Sequence, residues 1–291
     1  MKNAKQISAL VSLLDDPDLK IYKQVKNQLL ELGKECIPQL ENANFENELN
    51  SIVKSRIKDL THEIKLKDIL ISHKKWIQHP VKLIDGAIQL DQYFFPNITN
   101  NFIQKEISEI VREVSKGLHQ KMTNLEKVNV INDVLYDDYQ FQGDKRNYHS
   151  PENSSIGKLL QNKKGNPLSN SILYIEIARQ LNLPIMGINL PNHFIVGFLN
   201  EKKSILDSHN YHVEDVMFYI NPFSQGVILK KEDIKDFIQQ INVIENKYYY
   251  VPCPFSHITK RILNNLNFSF NSSNDITLKN DIKKILNIYK R

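Results

Sequence analysis

Cysteine is almost missing from this sequence. Its 291 residues contain only Cys36 and Cys253, far apart and without a C-x-x-C spacing. That excludes a disulfide framework and offers no thiolate zinc site. Long apolar runs are missing too. No window approaches the ~18 uninterrupted apolar residues of a membrane span. The opening stretch MKNAKQISALVSLLDDPDLK has a short apolar run quickly followed by acids. It lacks the core and the small-residue cleavage site of a signal peptide, so a cytoplasmic location is expected. Arginine-rich blocks and RNA-module signatures are absent. The net charge of +5 arises from 38 Lys+Arg spread against 33 Asp+Glu. Such a spread reads as a solvated lysine-rich surface, so no nucleic-acid partner is expected.

What is present is ordinary globular composition, 41% hydrophobic and 24% charged. The chain is long enough to bury a real core in one or two domains. Residues 5 to about 120 carry helical periodicity. Ile7, Leu10, Val11 and Leu14 fall on one face, and Ile21, Val25, Leu29 and Leu30 on another. Pro17 suits a first helical turn, Gly33 a helix end, and Pro38 cannot continue the helix that stops there. This pair of short helices resembles one HEAT-like hairpin, with no clear second copy, so a solenoid is not expected. Further helices follow, Pro96 and Asn97 punctuating two of them, and a last one points Val128, Ile131, Val134 and Leu135 inward. Gly86 lies inside one helix, where it costs ~1 kcal/mol against Ala and hints at close packing.

The texture changes near residue 140. The polar stretch FQGDKRNYHSPENSS has a length typical of functional or disordered loops. A helix over Leu168–Leu181 comes next. Strand-like runs follow at IMGINL, HFIVGF, KSILDSH, MFYINPF and GVILK, then a helix at KEDIKDFIQQI and two helices in the tail. Alternation in YYYVPCPF reads as a half-buried strand. A helix followed by consecutive antiparallel strands implies an α+β core, with expected divisions at 1–120, 121–250 and 251–291.

The stretch KKGNPLSNSILYIEIARQLNLPIMGINLPNHFIVGF carries the candidate chemistry. A helix N-terminus presents unpaired N–H groups and partial positive charge. A cysteine there would have a lowered pKa, and a histidine from a neighbouring strand, oriented by Asp or Asn, would complete a nucleophilic site. His193 and Asn221 are candidates for those two positions. No cysteine stands near the turn, which offers Asn166, Pro167, Ser169, Asn170 and Ser171.

These residues resemble the core of the transglutaminase-like superfamily, and within it the SirB-like branch. The resemblance rests on NSSIGKLL, KKGNPLSNSILYIEIARQLNLP, GINLPNHFIVGF and INPFSQGVILKKED, with DGAIQLDQYFFP upstream and RILNNL downstream. It implies a helical N-terminal half, a helix-plus-antiparallel-sheet core and a short helical tail. It places Pro167 at the nucleophile position, His193 at the family histidine and Asn221 where the family has Asp. Proline supplies no nucleophile, so the triad is a remnant, although Asn can still orient a histidine.

The implied protein is a non-catalytic relative whose degenerate cleft binds a peptide or protein partner, with Asn153, Asn166, Asn170, Asn192, His193 and Asn221 as ligand-binding candidates. An acyl-transfer or hydrolase enzyme using Ser169, and a purely structural scaffold, are the alternatives. Ser169 alone reads as a cap for the N–H of Ser171 or Ile172, and Cys253 as a buried structural thiol. The cluster Asp207, His209, His212 and Asp215 does not put both imidazoles on one face, so a solvated loop is expected there and no metal. No cofactor is implied.

Overall fold

The computed structural model describes residues 2–45, 51–200, 211–271 and 275–290. The chain packs as two compact units, 1–75 and 76–291.

The first unit is helical. Helices α1 (Lys2–Ser12), α2 (Leu19–Leu32), α3 (Ile37–Phe45) and the start of α4 (Ser51–Gln78) surround a core of Ile7, Leu10, Leu14, Val25, Leu29, Leu40, Val53, Ile57, Leu60 and Ile64. The expected apolar faces are therefore real, except that Ile21 is exposed. Pro17 is not in the first turn of α2. Asp18 caps that helix, its carboxylate accepting from Lys20 N at 2.7 Å, and Pro17 precedes the cap. Gly33 ends the helix at φ +64°, a left-handed conformation that suits glycine. Pro38 is the second residue of α3, where its missing N–H costs nothing. Arg56 donates from Nη1 to the carbonyls of Leu14 and Asp16, tying the α1–α2 turn to α4.

The second unit joins helices α5 (Leu83–Phe94), α6 (Asn100–Gly117), α7 (Asn124–Asn132), α8 (Ile156–Asn162) and α9 (Pro167–Gln180) to an antiparallel sheet. Val128, Ile131, Val134 and Leu135 are buried as expected, the last two in a π-helical continuation of α7. Gly86 is tight, because a Cβ there would lie 2.6 Å from the Trp76 ring. Strands β1 (Gln142–Gly143) and β2 (Lys164–Gly165) form a short parallel pair, so the polar stretch after residue 140 is pinned to the start of α9.

The main sheet runs β3 (Ile185–Leu190), β4 (His193–Leu199), β5 (Val216–Asn221) and β6 (Val227–Leu229), each antiparallel to the next. The two-residue turn Pro191–Asn192 joins β3 to β4, with Asn192 at φ +56°. Helices α10 (Lys231–Gln240), α11 (Phe255–Asn271) and α12 (Ile276–Asn287) complete the unit. The fold is thus α+β, with a helical N-terminal region and a helical tail. The expected strand KSILDSH lies outside the described residues. YYYVPCPF is not a strand: it forms a helical turn over Lys247–Tyr249 and a single bridge from Pro252 to Ile188. The prolines on either side of Cys253 remove ladder donors, which ends any strand there.

Helix α9 is the centre of the unit. Every residue from Pro167 to Ala178 is buried. A helix buried on all sides is a core helix, and each fully buried Leu or Ile contributes roughly 1.5–3 kcal/mol. Its four buried polar side chains are all satisfied. Ser169 donates to Asn153 O, Asn170 to Asn166 O and Ser171 to Phe194 O. Glu176 accepts a two-pronged bond from Arg179 and another from Gln180.

The sheet's period of two sorts the remaining candidates. Ile188, Leu190, Ile195 and Tyr219 share a core with Ile234 and Ile238 of α10. His193 and Asn221 stand two residues from Ile195 and Tyr219, so they belong to that face. Phe194 and Asn189, one residue out of phase, belong to the opposite face with α9 and α11.

Candidate functional site

The start of α9 is built from asparagines. Asn166 is its N-cap: Oδ1 accepts from Leu168 N and Ser169 N, both at 2.9 Å, while Nδ2 donates to Ser154 Oγ. Pro167 follows as the first helical residue, where a missing N–H is no loss. The cap is therefore Asn166 and not Ser169. The Ser169 hydroxyl, 1% exposed, spends its hydrogen on Asn153 O at 2.7 Å. Asn153 in turn donates to Asn147 O at 2.6 Å. Gly165 seals this wall, since a Cβ there would overlap the Ser169 hydroxyl and press on Leu159 and Asn170.

A second buried anchor lies behind it. The Asp91 carboxylate of α5 accepts from Ser155 Oγ (2.8 Å) and Gly157 N (2.7 Å), at the N-terminus of α8. Its burial pushes its pKa up from 3.8 to about 7, although both hydrogen bonds favour the charged form.

In front of Pro167 is a cleft of about 380 Å³. One wall is Asn166, Pro167, Leu168 and Ser154, and Asn192 and Phe194 enter from the β3–β4 turn. The facing wall is α11, which contributes Arg261, Asn264, Asn265, Phe268 and Ser269, and Tyr148 and His149 close one end. The Arg261 guanidinium is held in place: Nη1 donates to Leu190 O at 2.7 Å and to Asn189 Oδ1, and its carbon lies 5.7 Å above the Phe194 ring.

The structure brings His193 and Asn221 together, with Nε2 of the ring 3.3 Å from Asn221 Oδ1. Asn221 Nδ2 donates to Ser224 Oγ, and its oxygen faces the ring. With the amide in this orientation the neutral ring meets it as the tautomer protonated on Nε2. Burial lowers the imidazole pKa; the Asn221 bond raises it, and nearby Arg261 lowers it further. The ring packs near Phe223 and Phe237, at centroid distances of 6.2 and 5.9 Å. His193 and Asn221 are not among the residues lining the cleft, consistent with their place on the α10 face. Phe223 is the intermediary, touching His193 on one side and Tyr148 on the other.

Of the six ligand-binding candidates, only Asn166 and Asn192 line the cleft. Asn153 and Asn170 lie inside its wall with their amides committed to backbone carbonyls. Cys253 is half-buried, and desolvation pushes its thiol up to about 12, so it is protonated and weakly nucleophilic at neutral pH. Asp207 and His209 lie outside the described residues. His212 and Asp215 are joined by a backbone bond, His212 N to Asp215 Oδ2, at 2.7 Å. The α11 wall is not among the residues expected from the sequence, and its only sequence signal is a helical stripe. Arg261, Asn264, Asn265, Phe268 and Ser269 follow i, i+3, i+4, i+7, i+8, one stripe of a helix.

The sequence model of the Transglutaminase-like superfamily matches residues 101–264, more than half of the chain. The chain belongs to this superfamily. It is similar to the human (Homo sapiens) protein named F-box only protein 21, at 28% identity over 63% of this chain and 32% of that protein. It is also similar to UPF0162 proteins. That of Xylella fastidiosa (strain 9a5c) is 23% identical over 66% of both chains, and that of Vibrio cholerae 24% identical over 51% of this chain and 50% of its own. The similarity thus spans about a third of F-box only protein 21 and half to two thirds of these UPF0162 proteins. No solved structure gives a significant match.

Proposed function

We propose that this chain is a non-catalytic superfamily member whose degenerate cleft binds a peptide or protein partner. One observation carries the reading. The position that the superfamily resemblance assigns to the nucleophile is Pro167, and Pro167 lines an open cleft of about 380 Å³. A cleft with its helix start intact, and no cysteine among its lining residues, is shaped to hold something and not equipped to attack it. Ser169 supports this, because a buried hydroxyl that donates to a carbonyl has no base to activate it. The separation of His193 from the cleft lining supports it too.

The pattern from NSSIGKLL to INPFSQGVILKKED further leads us to place the chain in the SirB-like branch. A HEAT-like role for the first helices and added interaction surface on the tail belong to the same proposal, as does a cytoplasmic location. No described helix is long and apolar enough to cross a membrane.

The test is an amine-incorporation and amidase assay on wild type and His193→Ala, beside selection from a displayed random heptapeptide library. Absence of turnover from both proteins, with reproducible peptide enrichment on the wild type, is expected. Turnover that vanishes in His193→Ala would overturn the reading in favour of an acyl-transfer or hydrolase enzyme.

A further inference from the structure

The asparagines around the cleft fall into two classes. Asn153, Asn166 and Asn170 have their side-chain amides committed. Asn192, Asn264 and Asn265 line the same cleft, and none of the hydrogen bonds among the described residues uses their side-chain amides. These three also line an adjoining hollow of about 530 Å³, and Arg261 is common to both. The two hollows adjoin as one groove, with Arg261 and these three asparagines on the shared border.

Neither hollow has an Asp or Glu among its lining residues. Among the described residues no carboxylate pairs with Arg261, and both of its hydrogen bonds leave from Nη1. A partly buried guanidinium without a counter-charge is an expensive arrangement unless a ligand supplies one. Here it is also pre-ordered by Asn189, Leu190 and Phe194, so little entropy is lost when it pairs.

We infer that this groove recognises a peptide segment through one acidic side chain, whose carboxylate pairs with Arg261 while Asn192, Asn264 and Asn265 bond the flanking peptide groups. A side-chain amide both donates and accepts, which matches a peptide backbone. Phe268 and Tyr148 supply apolar contact at one end. A nucleic-acid strand fits less well: Arg261 and Lys260 are the only lysine or arginine residues lining the groove among those described, too few to track successive phosphates.

The inference rests on the binding reading above, and the same heptapeptide library separates the two. Enrichment of any sequence supports binding. Enrichment of Asp or Glu at one position supports the acidic subsite. A synthetic peptide of the enriched sequence then allows measurement by fluorescence anisotropy. Replacing its acidic residue by the amide, or Arg261→Gln, should weaken binding about 10- to 100-fold, the usual worth of a charge-assisted bond. Arg261→Gln also removes the tether to Asn189 and Leu190, so Asn264→Asp serves as a second variant. It places a carboxylate at an exposed position of the groove and should abolish the acidic preference in a folded protein. Enrichment without acidic preference would overturn this inference and leave the binding reading standing. Loss of all enrichment would remove both. Displacement of the peptide by a single-stranded oligonucleotide more readily than by the free acidic peptide would overturn the peptide assignment.

Discussion

The two walls of the cleft use the same residue type for opposite ends. On the α9 wall, the amides of Asn153, Asn166 and Asn170 are locked into a closed set with Ser154 and Ser169. On the α11 wall and the β3–β4 turn, the side-chain amides of Asn264, Asn265 and Asn192 beside Arg261 enter none of the hydrogen bonds among the described residues. Polar groups inside a wall must be paired, because an unpaired buried donor or acceptor costs ≈1–3 kcal/mol. Those at a groove surface can wait in water for a partner. The α9 wall therefore supplies shape and the α11 wall supplies recognition. Substitutions should separate them: the first wall should fail by unfolding and the second by losing its ligand.

The largest effect is expected at Gly165. A Cβ there would overlap the Ser169 hydroxyl, sit 3.0 Å from Leu159 Cδ1 and 3.2 Å from Asn170 Nδ2. The Ser169 hydroxyl and the Asn170 amide cannot withdraw without straining a hydrogen bond, and the Leu159 side chain is fully buried. Gly165→Ala should cost about 2–4 kcal/mol in urea unfolding, from overpacking together with a broken buried bond. A variant as stable as the wild type would show that the α9 wall is pliable, and the contrast between the walls would collapse.

Asn166→Ala comes next. It removes an acceptor for two N–H groups and a donor to Ser154, while Pro167 still holds the first helical φ. A loss of about 1–2 kcal/mol is expected, the cost of a lost N-cap, read from the same unfolding curve. Asn166→Asp should recover most of it, since Asp caps as well as Asn and its charge suits a helix N-terminus.

These expectations also mark what could be read without a structure. The α9 helix, four of the strands and the helical tail were legible because apolar runs of the right length are bounded by Gly, Pro and Asn. Pro167 at the nucleophile position was legible by counting along the family pattern. The face taken by His193 was not, since a strand's register decides it, and one residue of phase moves a side chain across the sheet. Nor was the α11 wall, which lies some 90 residues along the chain from Pro167 and meets it only through the fold. Ser169 and Asn166 are both good capping types, and only the backbone geometry chooses Asn166. YYYVPCPF alternates like a strand, but its prolines decide against one.

His193 provides a smaller and pH-dependent test. Burial holds its folded pKa below the ordinary 6.5. The unfolded chain then binds the proton first as pH falls. The stability contributed by the neutral, partly buried ring is present above about 6.5 and is lost as pH drops below it, toward the folded value. His193→Gln removes this titration and should flatten the acidic limb of the stability curve. Asp91 acts with the opposite sign, its folded pKa raised from 3.8 to about 7, so its contribution grows as pH falls from about 7 to about 4. The comparison must therefore be the difference between wild type and His193→Gln at each pH, in which Asp91 cancels. Identical acidic limbs would show that the ring is hydrated, and that Phe223 and Phe237 do not shield it.

The smallest effect is expected at Asn264, and its smallness is informative. The side chain is exposed, lines both hollows, and takes part in none of the hydrogen bonds among the described residues. It lies inside α11, where Ala is a better helix former than Asn by a few tenths of a kcal/mol. Asn264→Ala should leave the urea midpoint unchanged or raise it slightly, within about 0.5 kcal/mol, as for surface sites away from special features. The same variant should bind an enriched heptapeptide more weakly, because a donor and an acceptor toward the peptide groups are gone. A drop in stability comparable to that of Asn166→Ala would mean that the amide is part of the packed frame. The α11 wall would then be closed like the α9 wall, and the division between shape and recognition would fail at the residue where it is easiest to measure.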